Sequence, residues 1–253
     1  MSVAVNQTAL VEVDGLRRRL GFWLRNDASR LLWPTCCLIC GEAGGEAWDL
    51  CPACAAGLPW LRRACRCCAL PLPEAEAEGA VCGACLTEPP PLHAVHAACL
   101  YAPPLDRLLP RFKFHEDLAA GRLLAQLMAD AFADLPRPEA LVPIPLHPTR
   151  LRRRGYDQAL ELAKPLARAL RVPLRDDLLQ RVRATAAQSE RDAAARRRNV
   201  RGAFAVVPGV VLPRHIALVD DVMTTGATLH AAARALRRAG VERVDAWVCA
   251  RVP

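Results

Sequence analysis

Residues 216–228 read Ile-Ala-Leu-Val-Asp-Asp-Val-Met-Thr-Thr-Gly-Ala-Thr. An apolar run ends in two adjacent carboxylates, Asp220 and Asp221, followed by a loop of small hydroxyl residues and an alanine-rich helical pattern. That order places acids at the carboxyl end of a buried strand and backbone N–H groups at the opening of a helix. Such an opening attracts a phosphate, through unsatisfied donors and the positive end of the helix dipole. Thr224, Thr225 and Thr228 add hydroxyl donors, and Gly226 permits close backbone approach. Acids beside a phosphate nest repel the ligand unless they hold something else. Vicinal ribose hydroxyls or a hydrated Mg²⁺ are the natural candidates. The segment reads as a grip for ribose 5-phosphate; the plainer alternative is an acid pair closing a strand before an ordinary capped helix.

The stretch resembles the phosphoribosyl-pyrophosphate (PRPP) motif of the type I phosphoribosyltransferases. The resemblance implies that Asp220 and Asp221 contact the ribose hydroxyls. It also implies that Met223, Thr224, Thr225, Gly226, Ala227 and Thr228 wrap the 5′-phosphate, with Mg²⁺ accompanying PRPP.

Outward from this loop, strand and helix patterns alternate. Strands are expected at 96–101, 140–145, 204–212, 215–219 and 244–250. Helices are expected at 118–132, at 157–170 with Pro165 bending or dividing it, and at 228–239, stopped by Gly240. Alternation of this kind predicts an α/β fold, a mostly parallel sheet flanked by helices. Ligands of open α/β sheets sit beyond the carboxyl ends of strands. A second such end carries Val142-Pro143-Ile144-Pro145-Leu146-His147-Pro148-Thr149-Arg150, which leads into Arg152, Arg153, Arg154, Gly155, Tyr156 and Asp157. A proline-stiffened turn followed by arginines suits pyrophosphate, because guanidinium groups bond its oxygens in pairs. Pro145, His147, Arg150 and Arg154 are the candidates there; Arg152 and Arg153 read equally well as a solvated helix start. Residues 181–201 hold seven arginines against Glu190 and Asp192, a local charge of +5. That run is a lid over an anionic substrate, a nucleic-acid patch, or a solvated charged helix.

The chain has 253 residues and 12 cysteines. Cys37-x2-Cys40, Cys51-x2-Cys54, Cys65-x2-Cys68 and Cys82-x2-Cys85 form four knuckles. Together they supply enough thiolates for two structural Zn²⁺ sites with four cysteine ligands each. Sequential pairing is simplest and cross-bracing is the alternative; Cys36 competes with Cys37 as a ligand. A redox role is disfavoured, since the knuckles cluster outside any thioredoxin-like strand–helix context. The module at 34–88 is too short to hold together without metal, and Pro89-Pro90-Pro91 marks the linker after it.

Residues 1–33 read as a basic amphipathic helical N-terminus, with Leu16, Leu20, Trp23, Leu24, Leu31 and Leu32 near helical spacing and arginines between them. Packing on the body of the protein is the preferred role. No run approaches the roughly 18 apolar residues of a membrane span, and the start lacks a secretory pattern, so a cytoplasmic protein is expected. The formal charge of +8 points to an anionic substrate or polyanionic partner. No G-x4-G-K-[S/T] pattern is present, which excludes a P-loop ATPase.

Taken together, the chain resembles the ComF family (competence protein F, ComFC and GntX-like proteins). The resemblance rests on the cysteine knuckles, Tyr101-Ala102-Pro103-Pro104-Leu105, Phe112-Lys113-Phe114, Val142-Pro143-Ile144-Pro145 and Arg153 to Gln158. Thr185 with Gln188, Arg196, Asn199 and the motif at 219–228 complete it. It implies a double zinc ribbon at 34–88 preceding a type I phosphoribosyltransferase domain at 92–253. It also implies a role in natural transformation, handling single-stranded DNA, at least for some members; a helicase-like competence protein is the partner expected if the chain is a DNA-handling module. Gln188 and Arg196 would act with the acid pair in catalysis. Asp157 stands where the family usually has Asn, Tyr156 where it commonly has Phe, and Arg191 at a position usually apolar. Phosphoribosyl transfer to an unknown acceptor is the leading expectation. A non-catalytic single-stranded DNA-binding factor and a silent PRPP or nucleotide sensor are the alternatives.

Overall fold

A computed structural model describes residues 36–45, 48–183, 200 and 202–253. The helix expected in 1–33 and the residues Thr185, Gln188, Arg191, Arg196 and Asn199 lie outside that range. The chain divides into two compact units, Met1–Ala56 and Gly57–Pro253, so the stretch 34–88 is shared between them.

In the first unit a tight knuckle at Cys37–Cys40 is closed by the Cys37 N–H donating to Glu42 O and the Gly41 N–H donating to Cys37 O. Gly41 takes φ +82°, a conformation that favours glycine. Leu50 and Cys51 are buried beside it, and a short helix, α1 (Pro52–Ala56), carries Cys54.

The second unit is built on a four-stranded parallel sheet. Its strands are β1 (Val95–Leu100), β2 (Ala140–Pro143), β5 (His215–Met223) and β6 (Arg243–Arg251), in the order β1-β6-β5-β2. A parallel sheet covered on both faces needs strands apolar throughout. Accordingly, β6 is buried from Val244 to Arg251 and β2 along its whole length.

On one face lie α3 (Leu105–Phe114), α4 (Leu118–Ala131) and α6 (Gln158–Leu170). α3 packs on α4, which contacts α6, β1 and β6. A Cβ at Gly121 of α4 would run into the buried Phe112 ring of α3, so a glycine is required for this approach. α6 runs unbroken through Pro165. On the other face are α7 (Ala227–Arg238) and a two-stranded antiparallel ribbon of β3 (Leu179–Arg181) and β4 (Phe204–Val206). β4 is shorter than the strand expected at 204–212, because Pro208-Gly209 turns the chain, with Gly209 at φ +79°.

The second cysteine group belongs to this unit. Its short helix α2 (Gly83–Thr87) follows Cys82, and Cys65, Cys68 and Cys85 join the same apolar cluster as Val95, Leu218, Met223 and Val248. The adjoining segment covers the exposed edge of β1. Leu61 N–H donates to Ala98 O, Leu100 N–H to Pro59 O, and Val95 N–H to Arg66 O. These bonds occupy groups that an open sheet edge would leave unpaired. No helix among the described residues is long and apolar enough to cross a membrane.

Candidate functional site

β5 and β6 stay paired to the end, Met223 opposite Arg251, whereas β2 stops at Pro143 opposite Val219. The last bond on the β2 side is Ile144 N–H to Val219 O, 2.9 Å. Asp220 and Asp221 are therefore strand residues, in β5 rather than after it, yet they lie beyond the end of one neighbour. Successive strand side chains face opposite ways. Asp221 shares the face of Ala217 and Val219 and is 3% exposed; Asp220 is half-buried.

Lys113 on α3 meets the acid pair, its Nζ 3.0 Å from Asp221 Oδ2. Burial opposes the ammonium, but the charge and hydrogen bond of Asp221 more than offset it and leave the Lys113 pKa raised. Asp220 behaves oppositely. Burial first, and the charge of Asp221 next, push it up to about 8, against the pull of Lys113.

Beyond Met223 the chain turns through exposed Thr224 and half-buried Thr225 into Gly226, at φ +73° and ψ 1°. A Cβ there would stand 2.5 Å from Met223 Cε, so both conformation and space call for glycine. Ala227 and Thr228 open α7, whose first N–H groups face the turn without partners in the helix. The Thr-Thr-Gly loop thus ends on the helix N-terminus that an anion would use.

The second loop leaves β2 through Ile144, Pro145 and Leu146 to His147, whose ring caps α5 (Pro148–Arg154) by accepting from Thr149 N–H at 3.3 Å. Asp157 braces this loop from below: Oδ2 accepts from Leu146 N–H at 2.8 Å, while Oδ1 caps α6 through Leu160 N–H at 3.2 Å. Burial raises the Asp157 pKa, and those N–H groups pull the other way. Arg150 and Arg154 are half-buried, while Arg152 and Arg153 are exposed. Burial, then the charges of Arg154 and Arg153, lower the Arg150 pKa, which marks a patch of concentrated positive charge. Arg154 lies over the Phe114 ring at 5.3 Å. Tyr156 packs on Phe112 at 5.8 Å between ring centroids.

Sequence reasoning gave no role to Lys113 or Arg251, and it counted Arg181 only within the charged run at 181–201, whereas Arg181 ends β3. Arg181 is buried and stacked on Phe204 at 5.3 Å, and its electrostatic neighbours include Arg150, Asp220 and Asp157. A charged residue inside an apolar frame, as in Phe112-Lys113-Phe114 or at the end of Val248-Cys249-Ala250-Arg251, was the available signal. Gln188 and Arg196 lie outside the described residues.

The cysteines pair sequentially: Cys37, Cys40, Cys51 and Cys54 form one group, Cys65, Cys68, Cys82 and Cys85 the other, with sulfurs in each within 4.8 Å of one another. Cys40 and Cys51 sulfurs are 3.7 Å apart, and those of Cys68 and Cys82 3.8 Å. A tetrahedron with Zn–S bonds of about 2.3 Å has edges of about 3.8 Å. The donor set and spacing fit zinc; they are far too long for disulfides. Burial works against ionisation of Cys37 and Cys65, but backbone N–H groups outweigh it and lower them to about 6 and about 7. Cys36 is exposed and outside the first group. Cys99 and Cys249 are buried in the sheet, where burial pushes Cys99 up to about 12.

A parallel sheet bearing an acid pair and a phosphate-type loop, together with two tetracysteine groups, defines a zinc-ribbon protein of the phosphoribosyltransferase fold. The family model for the double zinc ribbon domain matches residues 28–86, and that for the phosphoribosyl transferase domain matches 157–253. Competence protein F of Haemophilus influenzae is 41% identical over 155 residues, 58% of this chain and 68% of that protein. DNA utilization protein YhgH of Salmonella typhi is 38% identical over 58% of this chain and 67% of its own length. Competence protein ComFC of Streptococcus pneumoniae is 28% identical over 56% and 60%. The chain belongs to the competence protein F family.

Proposed function

We propose that this protein binds Mg-PRPP at the end of β5 and acts as a phosphoribosyltransferase in DNA uptake during natural competence. The observation that carries the reading is the acid pair standing past the end of β2 and running through Thr-Thr-Gly into the N-terminus of α7. Asp220 and Asp221 hold the ribose hydroxyls. The N–H and hydroxyl groups of Thr224 to Thr228 hold the 5′-phosphate. Arg150 and Arg154, on the loop that Pro145 and His147 shape, hold the pyrophosphate, and Gln188 and Arg196 complete the site from the arginine-rich segment. Mg²⁺ arriving with PRPP supplies charge neutralisation on the pyrophosphate. The bond from ribose C1 to the pyrophosphate oxygen breaks, the acceptor's electron pair forms the new bond at C1, and pyrophosphate leaves with its electrons. Little covalent chemistry falls to the protein, which positions charge and excludes water.

The names of the relatives favour a role with incoming DNA, and the charge of +8 suits a polyanion. Single-stranded DNA, presented by a helicase-like competence protein in the cytoplasm, is accordingly the partner; binding that weakens steeply with salt is its mark. A purely binding version of this role, without turnover, is separated by a panel of nucleobases and oligonucleotides incubated with Mg-PRPP. Pyrophosphate release supports transfer, and its absence with retained binding supports the sensor or DNA-binding role. For the site itself, Asp221→Ala abolishes Mg-PRPP binding by calorimetry while zinc content stays unchanged. Undiminished affinity in that variant rejects the site.

A further inference from the structure

Arg251 is the last residue of β6 and is 6% exposed. Its Nε donates to Cys68 O at 2.7 Å, across 183 residues of sequence. Its Nη1 donates to Met223 O at 3.1 Å, to Thr224 O at 2.6 Å, and to Val252 O. One guanidinium therefore spans a zinc-group cysteine and the first two residues of the phosphate loop. We propose that Arg251 is a positioning residue that makes the second zinc ribbon a wall of the sugar-phosphate site, so that the filled cysteine group holds the Met223–Gly226 turn in its binding shape. This rests on the reading of 220–228 given above.

A buried guanidinium is costly unless its donors are met, and here the acceptors are main-chain carbonyls whose positions it must fix in return. Its charge also has a reason to be there. Four thiolates around Zn²⁺ leave a formal charge of about −2, and the Arg251 guanidinium stands beside that group, bonded to Cys68 O at 2.7 Å. A filled group thus stabilises the guanidinium, and the guanidinium ties down the carbonyls. Finally, Met223 has two links toward the ribbon: its carbonyl accepts from Arg251, which itself donates to Cys68 O, and its side chain belongs to the buried core that also takes in Cys65, Cys68 and Cys85. Met223 Cε in turn stands against the position a Cβ of Gly226 would take. Contact runs unbroken from Cys68 through Arg251 and Met223 to the turn that opens α7.

The test uses the full chain with Arg251→Met, Arg251→Lys and Cys82→Ser. Three readouts are followed: zinc per chain, hydrogen exchange of the amides at 224–228, and Mg-PRPP affinity by calorimetry. Arg251→Met should keep its zinc yet exchange those amides at least about tenfold faster and bind Mg-PRPP about tenfold more weakly. Arg251→Lys, a point charge without the fork, should fall between the two. Cys82→Ser should lose one zinc and show the same faster exchange at 224–228. Wild-type exchange at 224–228 in Arg251→Met, or in folded Cys82→Ser, overturns the proposal. If Cys82→Ser does not fold, the Arg251 pair decides alone. Exchange is read without ligand, so failure of the wild type to bind PRPP would sink the site reading and leave this one separately decided.

Discussion

Lys113 Nζ lies 3.0 Å from Asp221 Oδ2, and this ion pair joins a helix on one face of the sheet to the acid pair near the carboxyl end of β5. Asp221 is almost wholly enclosed, and Lys113 is about three-quarters so. Removing one partner of such a pair strands the other's charge, at a cost on the order of 3 kcal/mol. Lys113→Met should therefore lose roughly that much stability in urea titrations. Lys113→Met combined with Asp221→Asn should regain much of it, because no buried charge is left unpaired. A Lys113→Met single variant as stable as the wild type would show that the pair is an exposed one in solution.

The raised Asp220 carboxyl gives a pH dependence of definite sign. Its native value of about 8 exceeds the roughly 3.9 of a free Asp, so between those values the folded chain holds a proton that the unfolded chain releases. The stability tied to this group is full below about pH 4 and is lost as the pH rises through about 8. Ligand binding runs the other way, since ribose hydroxyls and Mg²⁺ both favour the ionised form. Affinity for Mg-PRPP should climb between about pH 6.5 and about 8.5, with proton release on binding. Calorimetry in buffers of different ionisation enthalpy counts those protons. Asp220→Asn should flatten both trends, and it also serves as the reference for protons lost by PRPP itself.

Gly226 carries two constraints, a φ of +73° and a wall at Met223 Cε and His230. Gly226→Ala must strain the backbone by about 1 kcal/mol and also displace Met223. The expected outcome is a modest loss of thermal stability with at least a tenfold loss of Mg-PRPP affinity and unchanged zinc content. Wild-type affinity in this variant would mean that the turn does not shape the phosphate site.

The parts of this architecture that were readable in the sequence are the locally encoded ones. Cysteine pairs with two residues between them set each zinc knuckle, and Asp-Asp followed by Thr-Thr-Gly and an alanine-rich stretch set the strand, turn and helix around 216–238. Even there the strand was expected to end at Val219, because two carboxylates look unlike strand interior. β5 continues to Met223 because β6 goes on pairing with it where β2 has stopped. Contacts between distant segments left no local trace. Lys113 acquires its role only once Gly121 lets α4 close on Phe112 and so fixes α3. Arg251 does so only once β6 carries it to Cys68. Both are charged residues embedded in apolar runs, a pattern that announces a partner without saying which.

Asp157 offers the last test, since its two oxygens do different things. Oδ1 caps α6 and Oδ2 accepts from Leu146 N–H in the loop that presents Arg150. An Asn can keep the cap but offers an NH2 group where the second acceptor stood, leaving the Leu146 N–H without its partner. Asp157→Asn should therefore cost about 1 kcal/mol in urea titration. The charge of Asp157 also helps to raise Asp220, so the same change should lower the pH at which Mg-PRPP binding reaches half its maximum. Asp157→Ala loses the cap as well and should cost about 1 kcal/mol more. A binding profile in Asp157→Asn that superimposes on the wild type would separate this carboxylate from the electrostatics of the acid pair and leave it a purely structural brace.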